Sequence, residues 1–272
     1  DLFIVASEPY GVVEETSTYF RLDGEGSSTA ALTESKGQIV VLDGALAGDL
    51  SGVTRLAYDG TVLPISATEL VTAEVTTRDI DRGDAPHFLL KEISEAPESF
   101  RKTLRGKIVE RDGVLHASLG VKTLPTSIIE QLASGAIRKV RVIGQGTAAI
   151  AGRSCATVLD ELCAGGLDVD PITATELSGF HLQLDMSDTL IIAVSQSGTT
   201  TDTNRTVDLA RSRGASVLAI VNRRGSDLCD KADGVLFTSD GRDVEMSVAS
   251  TKAFYAQVAA GVLLACAVSV AA

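Results

Sequence analysis

The chain has 272 residues, with Lys plus Arg at 24 and Asp plus Glu at 36, for a formal net charge of −12. That length allows one or two domains with a sizeable core, and 44% hydrophobic with 22% charged residues excludes a disordered chain or a fibre. The acidic balance argues against a partner rich in nucleic-acid phosphates, while uncharged amides and hydroxyls still permit a local pocket for a phosphorylated metabolite.

Cys155, Cys163, Cys229 and Cys266 form no C-x-x-C pair, and His87, His116 and His181 are scattered. No metal site is expected, and the thiols read as reduced, mostly buried small hydrophobes. No residue pattern implies an organic cofactor.

Residues 1–80 read as β-rich. LFIVAS, TYFRL, QIVVLDG and TRLAYDG are short strand-like runs between Gly, Asp and Ser clusters. The opening DLFIVASEPYGVV has no Met and no basic stretch, so it is not a signal peptide. From Asp81 the texture turns helical: HFLLKEISEAPESFRKTLRGK spaces Phe88, Leu89, Ile93, Phe100 and Leu104 as a helix does. Pro97 is expected to end one helix there and start another. Residues 81–106 then form a helical connector, and 107–138 hold one helix around TSIIEQLAS.

Beyond that the pattern is regular. KVRVIG, TLIIAVS, SVLAIVN and GVLFTS read as strands, alternating with helices over TAAIAGRSCATVLDELC, TTTDTNRTVDLARSRG and GSDLCDKAD. Near-continuous apolar strands between helices mean a parallel sheet covered on both faces, hence a doubly wound α/β domain over 107–272. The closing run 253–272 carries no charge and is about as long as a membrane span. Its alanines, Gln257 and Ser269 favour a buried helix, so no membrane partner is expected. A chain that stops inside such a helix reads as a piece of something larger.

Ligands of open parallel sheets bind beyond the carboxyl ends of the strands. Gly144-Gln145-Gly146-Thr147-Ala148-Ala149 fits G-x-G-x-x-G/A, with Asp168 and Asp170 about where a ribose-binding acid would fall. A dinucleotide site and a plain tight turn both fit that loop. Ser195-Gln196-Ser197-Gly198-Thr199-Thr200-Thr201 is a cluster of hydroxyls at a helix start, an anion nest beyond what capping requires. No P-loop lysine follows it. Ser247-Val248-Ala249-Ser250-Thr251 precedes the last helix, where an ordinary cap is the simpler alternative. Glu245 is read as the carboxylate nearest these loops, in a structural ion pair rather than a catalytic role.

GQGTA, SQSGTTTDT and VASTKAF, in order and about fifty residues apart, together resemble the first sugar-isomerase (SIS) domain of the glutamine–fructose-6-phosphate amidotransferase family. HFLLKEISEAP is similar to that family's linker, and LFIVASEP with the following strands to the end of its glutaminase domain. The resemblance implies a flavodoxin-like SIS domain preceded by a β-rich, partial glutaminase-like region.

It further implies that Ser195, Gln196, Ser197 and Thr200 hold the phosphate and hydroxyls of fructose 6-phosphate or glucosamine 6-phosphate. Gly146 and Thr147 would line the first loop, and Val248, Ala249 and Ser250 the other side of the sugar. Glutamine would be a substrate only through a glutaminase part absent from this chain, and a cytoplasmic location is expected. A homodimer is expected on separate grounds, since the long apolar terminal helix and an incomplete sheet face need a partner surface. Two departures stand out: Ala148 replaces a family serine, and Thr199 a glutamate. They keep open a non-catalytic sugar-phosphate sensor beside the amidotransferase, with a dinucleotide-binding domain ranked last.

Overall fold

The computed structural model describes residues 2–6, 9–22, 38–73, 75–247 and 249–272, and the chain divides into two compact units, Asp1–Asp81 and Arg82–Ala272. In the first, β1 (Thr18–Tyr19) pairs antiparallel with β5 (Val71–Thr72). β2 (Gln38–Leu42), β3 (Val53–Ala57) and β4 (Val62–Leu63) form an antiparallel sheet in that order, and α1 (Thr77–Ile80) follows. The expected β-rich texture is present, with one correction. Residues 2–6 of LFIVAS form no strand, because apolar composition without a pairing edge does not order a backbone. Ser7 and the glycines at 24, 26 and 37 lie outside the described residues.

The second unit opens with α2 (Phe88–Leu104), one continuous helix that runs through Pro97. The expected break is absent. A proline removes a single backbone bond, and here α2 packs against the last helix with Glu92, Ser99 and Thr103 buried. A hairpin that periodicity did not reveal comes next, β6 (Ile108–Arg111) with β7 (Val114–Ala117), turned by Asp112-Gly113. α3 (Thr126–Ala133) matches the helix expected there.

The main sheet contains β8 (Lys139–Gly144), β9 (Asp168–Thr173), β10 (Thr189–Ser195), β11 (Ser216–Val221) and β12 (Gly234–Phe237). All pairings are parallel, in the order β12-β11-β10-β8-β9. Its helices are α4 (Thr147–Cys163), α5 (Ala174–Glu176), α6 (Thr201–Arg211), α7 (Asp227–Lys231) and α8 (Lys252–Ala271), with a π-helical turn at Leu177–His181. This is the doubly wound order in which the strand sequence reverses between β8 and β10. β9 escapes a reading from hydropathy because DVDPIT is acidic and holds Pro171, residues that an edge strand tolerates.

Alternation across the pleat sorts the core. Leu190, Ile192 and Val194 point with Val140, Val142, Leu218 and Ile220 toward Leu159, Leu264 and Val268 of α4 and α8. Ile191 and Ala193 point the other way, with Val217, Ala219 and Val221, toward Val207, Ala210 and Leu228 of α6 and α7. Every residue of β10 is buried. At about 1.5–3 kcal/mol for each large apolar side chain, this strand anchors the loop that follows it. α8 is long and apolar enough by length and composition to cross a membrane, yet Ala256, Ala260, Leu263 and Leu264 are buried within the unit.

Candidate functional site

The reversal of strand order sets the loops after β8 and β10 side by side, because those strands are direct neighbours with Ala193 opposite Ile143. After β8, Gly144 ends the strand where a Cβ would lie 2.9 Å from the Val194 carbonyl oxygen, so only glycine fits. Gly146 then turns the chain into α4 at φ 54° and ψ −127°, a conformation open to glycine. Gly146 and Thr147 are exposed, and Ala148 is half-buried. Gln145 reaches sideways, its amide donating to Thr175 Oγ1 at 3.2 Å and Asp202 Oδ2 at 3.3 Å. Asp202, in the first turn of α6, is thus a carboxylate beside the site that the sequence reading overlooked.

The hydroxyl loop is built around its own backbone. Ser195 is buried at the end of β10, and its Oγ accepts from the Gly198 amide at 3.0 Å. Ser197 Oγ accepts from the Thr199 amide at 3.2 Å and lies 3.0 Å from Thr199 Oγ1. Gly198 adopts φ +69°, and a Cβ there would lie 2.6 Å from Ser226 Cβ. Its carbonyl accepts from Asn204 Nδ2 at 3.0 Å and from the Leu228 amide at 3.1 Å. The Gln196 carbonyl accepts from the amides of Asn222 and Arg223, both at 3.2 Å. The loop is therefore pinned to α6 and to the turn after β11. Thr200 precedes α6 without a side-chain capping bond, so the ordinary-cap alternative does not account for its hydroxyl.

The third segment follows β12. Among the described residues Glu245 makes no ion pair, contrary to expectation. Its Oε1 accepts from the Thr251 amide at 2.9 Å, the Ala253 amide at 3.1 Å and Thr251 Oγ1 at 3.1 Å, so it caps α8 from outside. A carboxylate held by the free amides of a helix start is engaged structurally. Ala249 is exposed, and the Ser250 hydroxyl is buried without a partner among the described residues. Val248 lies outside the described residues.

Ser250 has company. Buried polar atoms without a protein partner also occur at Asn204, Asn222, Thr238 and Asp243, all beyond the carboxyl ends of β10, β11 and β12. Buried polar groups normally find partners, so a cluster of exceptions at one edge of a sheet marks a place suited to a polar ligand. The sequence reading did not single out Asn204 or Asn222, since an asparagine near a strand end carries no motif.

The acids that a dinucleotide site would need are misplaced. Asp168 opens β9 opposite Lys139, at the amino end of the sheet, and is held by Arg141 at 2.7 Å. Thr173 is the β9 residue that sits opposite Gly144. A cavity of about 120 Å³ lies under β8 and β9, lined by Lys139, Arg141, Asp170, Leu177 and His181 among others. It is away from the three loops. Its lysine and arginine are paired with Asp188 at 3.1 Å and with Asp168, so it offers no free charge to an anion.

Residues 136–267 match the SIS domain family model. That stretch is an SIS domain. It is 38% identical over 253 residues to the isomerizing glutamine–fructose-6-phosphate aminotransferase of Symbiobacterium thermophilum, and 34% identical over 246 residues to that of Pyrobaculum aerophilum. These alignments span 89% and 86% of this chain but only 38% and 36% of those enzymes, so the chain corresponds to well under half of either relative. The C-terminal domain of glucosamine-fructose-6-phosphate aminotransferase from Francisella tularensis shares the fold, at a TM-score of 0.58 and 24% identity over 70% of this chain and 50% of that one. The expected α/β architecture and the resemblance to isomerizing aminotransferases are both upheld.

Proposed function

We propose that this SIS chain binds a ketose or amino-sugar 6-phosphate at the carboxyl edge of its sheet. It would do so as the sugar-phosphate-binding portion of an amidotransferase that turns fructose 6-phosphate into glucosamine 6-phosphate. The observation that carries the reading is the Ser195–Thr201 loop. A cluster of hydroxyls and the start of an eleven-residue helix meet beside the reversal of strand order. Neutral donors at a helix N-terminus hold a phosphate dianion without burying a lysine. In this reading Ser195, Gln196, Ser197 and Thr200 take the phosphate and adjoining hydroxyls. Gly146 and Thr147 line the second wall, and Val248, Ala249 and Ser250 the third.

The contribution of these residues is to bind and orient, which removes translational and rotational freedom before the chemical step. Proton transfer, and release of ammonia from glutamine, belong to other parts of the amidotransferase. Residues 1–80 would be the end of its glutaminase part, 81–106 the linker and 107–272 the first SIS domain. A cytoplasmic homodimer goes with this reading, supported by exposed Tyr255, Val262 and Val270 along α8.

One observation favours a second reading, a sugar-phosphate sensor without catalysis. Glu245 caps α8 and Asp202 accepts from Gln145, so these two carboxylates beside the loops are engaged, although Asp243 nearby keeps an oxygen unpartnered among the described residues. Turnover of glutamine and fructose 6-phosphate by a full-length protein containing this chain separates the two. The binding itself is tested by thermal shift with fructose 6-phosphate, glucosamine 6-phosphate, inorganic phosphate and NAD, alongside Ser197→Ala. Ligand at a hundred times its Kd adds about 2.7 kcal/mol of stability. A sugar-phosphate shift that Ser197→Ala abolishes supports the site; a shift with NAD alone refutes it.

A further inference from the structure

Glu92 sits mid-helix in α2, 1% exposed, yet no lysine or arginine pairs with it among the described residues. Its partners all come from one short segment far along the chain. Oε1 accepts from the Met246 amide at 2.6 Å and the Ser247 amide at 3.2 Å, and Oε2 accepts from Ser247 Oγ. Three residues on, Glu95 takes Lys252 at 2.5 Å and Lys91 at 3.0 Å, and Lys252 is itself 4% exposed. Residues three apart share a helix face, so α2 presents two carboxylates that bracket residues 246–252. Between those two anchors lie Ala249 and Ser250.

A buried carboxylate is tolerable only when donors surround it, and these donors are two successive backbone amides and the Ser247 hydroxyl. The described residues between Arg242 and Thr251 have no regular structure of their own to fix them. Ser247 extends the hold forward, its Oγ lying 3.3 Å from the Ala249 carbonyl. Left free, such a segment would have to be ordered each time a ligand bound, at a cost to affinity.

We propose that Glu92 is a positioning residue for the sugar-facing segment. Its carboxylate holds Met246 and Ser247 in place, so that the Ser250 hydroxyl farther along meets the sugar already oriented, and it acts through the backbone without touching the ligand. The proposal rests on the sugar-phosphate reading above. It separates the two ends of the ligand: the phosphate belongs to the Ser195–Thr200 loop, which Glu92 does not contact, whereas the sugar needs the segment that Glu92 holds.

The test titrates the 272-residue chain calorimetrically with glucosamine 6-phosphate and with inorganic phosphate, for wild type, Glu92→Gln, Ser247→Ala and Ser197→Ala. Glu92→Gln is expected to weaken the sugar phosphate about tenfold while phosphate stays within about twofold. Ser247→Ala, which removes one donor and leaves α2 intact, follows in the same direction to a smaller extent. Ser197→Ala weakens both ligands. Hydrogen exchange on the ligand-free chain supplies an independent readout, with the amides of 246 and 247 losing protection in Glu92→Gln. Equal weakening of both ligands, or unchanged affinity with unchanged exchange, overturns the positioning role. Wild type that binds neither ligand refutes the site itself, and exchange at 246–247 still reports on Glu92 in that case.

Discussion

Gly261 of α8 lies against Cys155 of α4: a Cβ at 261 would come 2.8 Å from the Cys155 Cβ. Both positions are about midway along their helices, and both helices start from the carboxyl edge of the sheet. The close approach therefore keeps the start of α8, and with it Ala249 and Ser250, at the same edge as the start of α4. Gly261→Ala forces the two helices apart and is expected to cost about 1–3 kcal/mol, the range for overpacking a well-packed core. Urea unfolding measures it. Cys155→Gly in the same chain should recover part of the loss, and a strictly additive double mutant would show that the two residues do not meet.

Gly198 is constrained twice, by φ +69° and by Ser226. Gly198→Ala is expected to lose about 1–2 kcal/mol from backbone conformation alone, and more from the contact with Ser226. Because the displaced loop carries Ser197 and Thr200, sugar-phosphate and inorganic-phosphate affinity should fall together. A variant that folds at wild-type stability and binds phosphate normally would contradict the loop geometry.

Ala148 is the second residue of α4, at the position where the resemblance read from the sequence implies a serine. Ala148→Ser is expected to tighten glucosamine 6-phosphate by up to about tenfold, the worth of one hydrogen bond of ordinary strength. An unchanged dissociation constant in calorimetry would mean that the hydroxyl at this position does not reach the sugar.

Burial pushes the Cys155 thiol up to about 12, and burial with the nearby Asp160 charge raises Cys163 as well. The thiolate is the reactive form, so Cys155 should stay unlabelled by a disulfide reagent near neutral pH until the chain unfolds. Mass spectrometry of the labelled native protein checks this. Labelling of Cys155 ahead of unfolding would reveal that α4 and α8 separate.

Burial works to raise the Glu95 carboxyl, but hydrogen bonds from Lys252 and Lys91 outweigh it and hold the group below the ordinary 4.5. A folded-state value below the unfolded one contributes stability that is fully present above the unfolded value. That contribution is lost as pH falls toward the folded one. The urea midpoint should therefore drop as pH is taken down through that range, and Glu95→Gln should flatten part of the drop. A variant with the same acid profile as wild type would show that the Lys252 pair contributes nothing to it.

The regular half of the fold was legible in the sequence because its signals are local. KVRVIG and TLIIAVS are apolar runs bounded by glycine or polar residues, and they became β8 and β10 with the expected limits. Likewise, TAAIAGRSCATVLDELC became α4 end to end. Where a competing term outweighed the local one, the reading missed. Pro97 breaks an isolated helix, but packing of α2 against α8 carries it through. DVDPIT has the wrong composition for a core strand and the right one for an edge.

The site divides along the same line. Each of its loops announced itself by residue type, as hydroxyls and glycines ahead of helices, and the parallel order of strands already required them to share one edge of the sheet. Sequence alone determined that much, since hydropathy and turn chemistry act over a few neighbouring residues. Only the tertiary structure decided which carboxylate serves which donor: Glu245 the amides at the start of α8, Asp202 the Gln145 side chain, and Glu92 backbone amides more than a hundred positions away. A buried carboxylate is placed by the donors that surround it after folding, and no spacing along the chain records where those donors will come from.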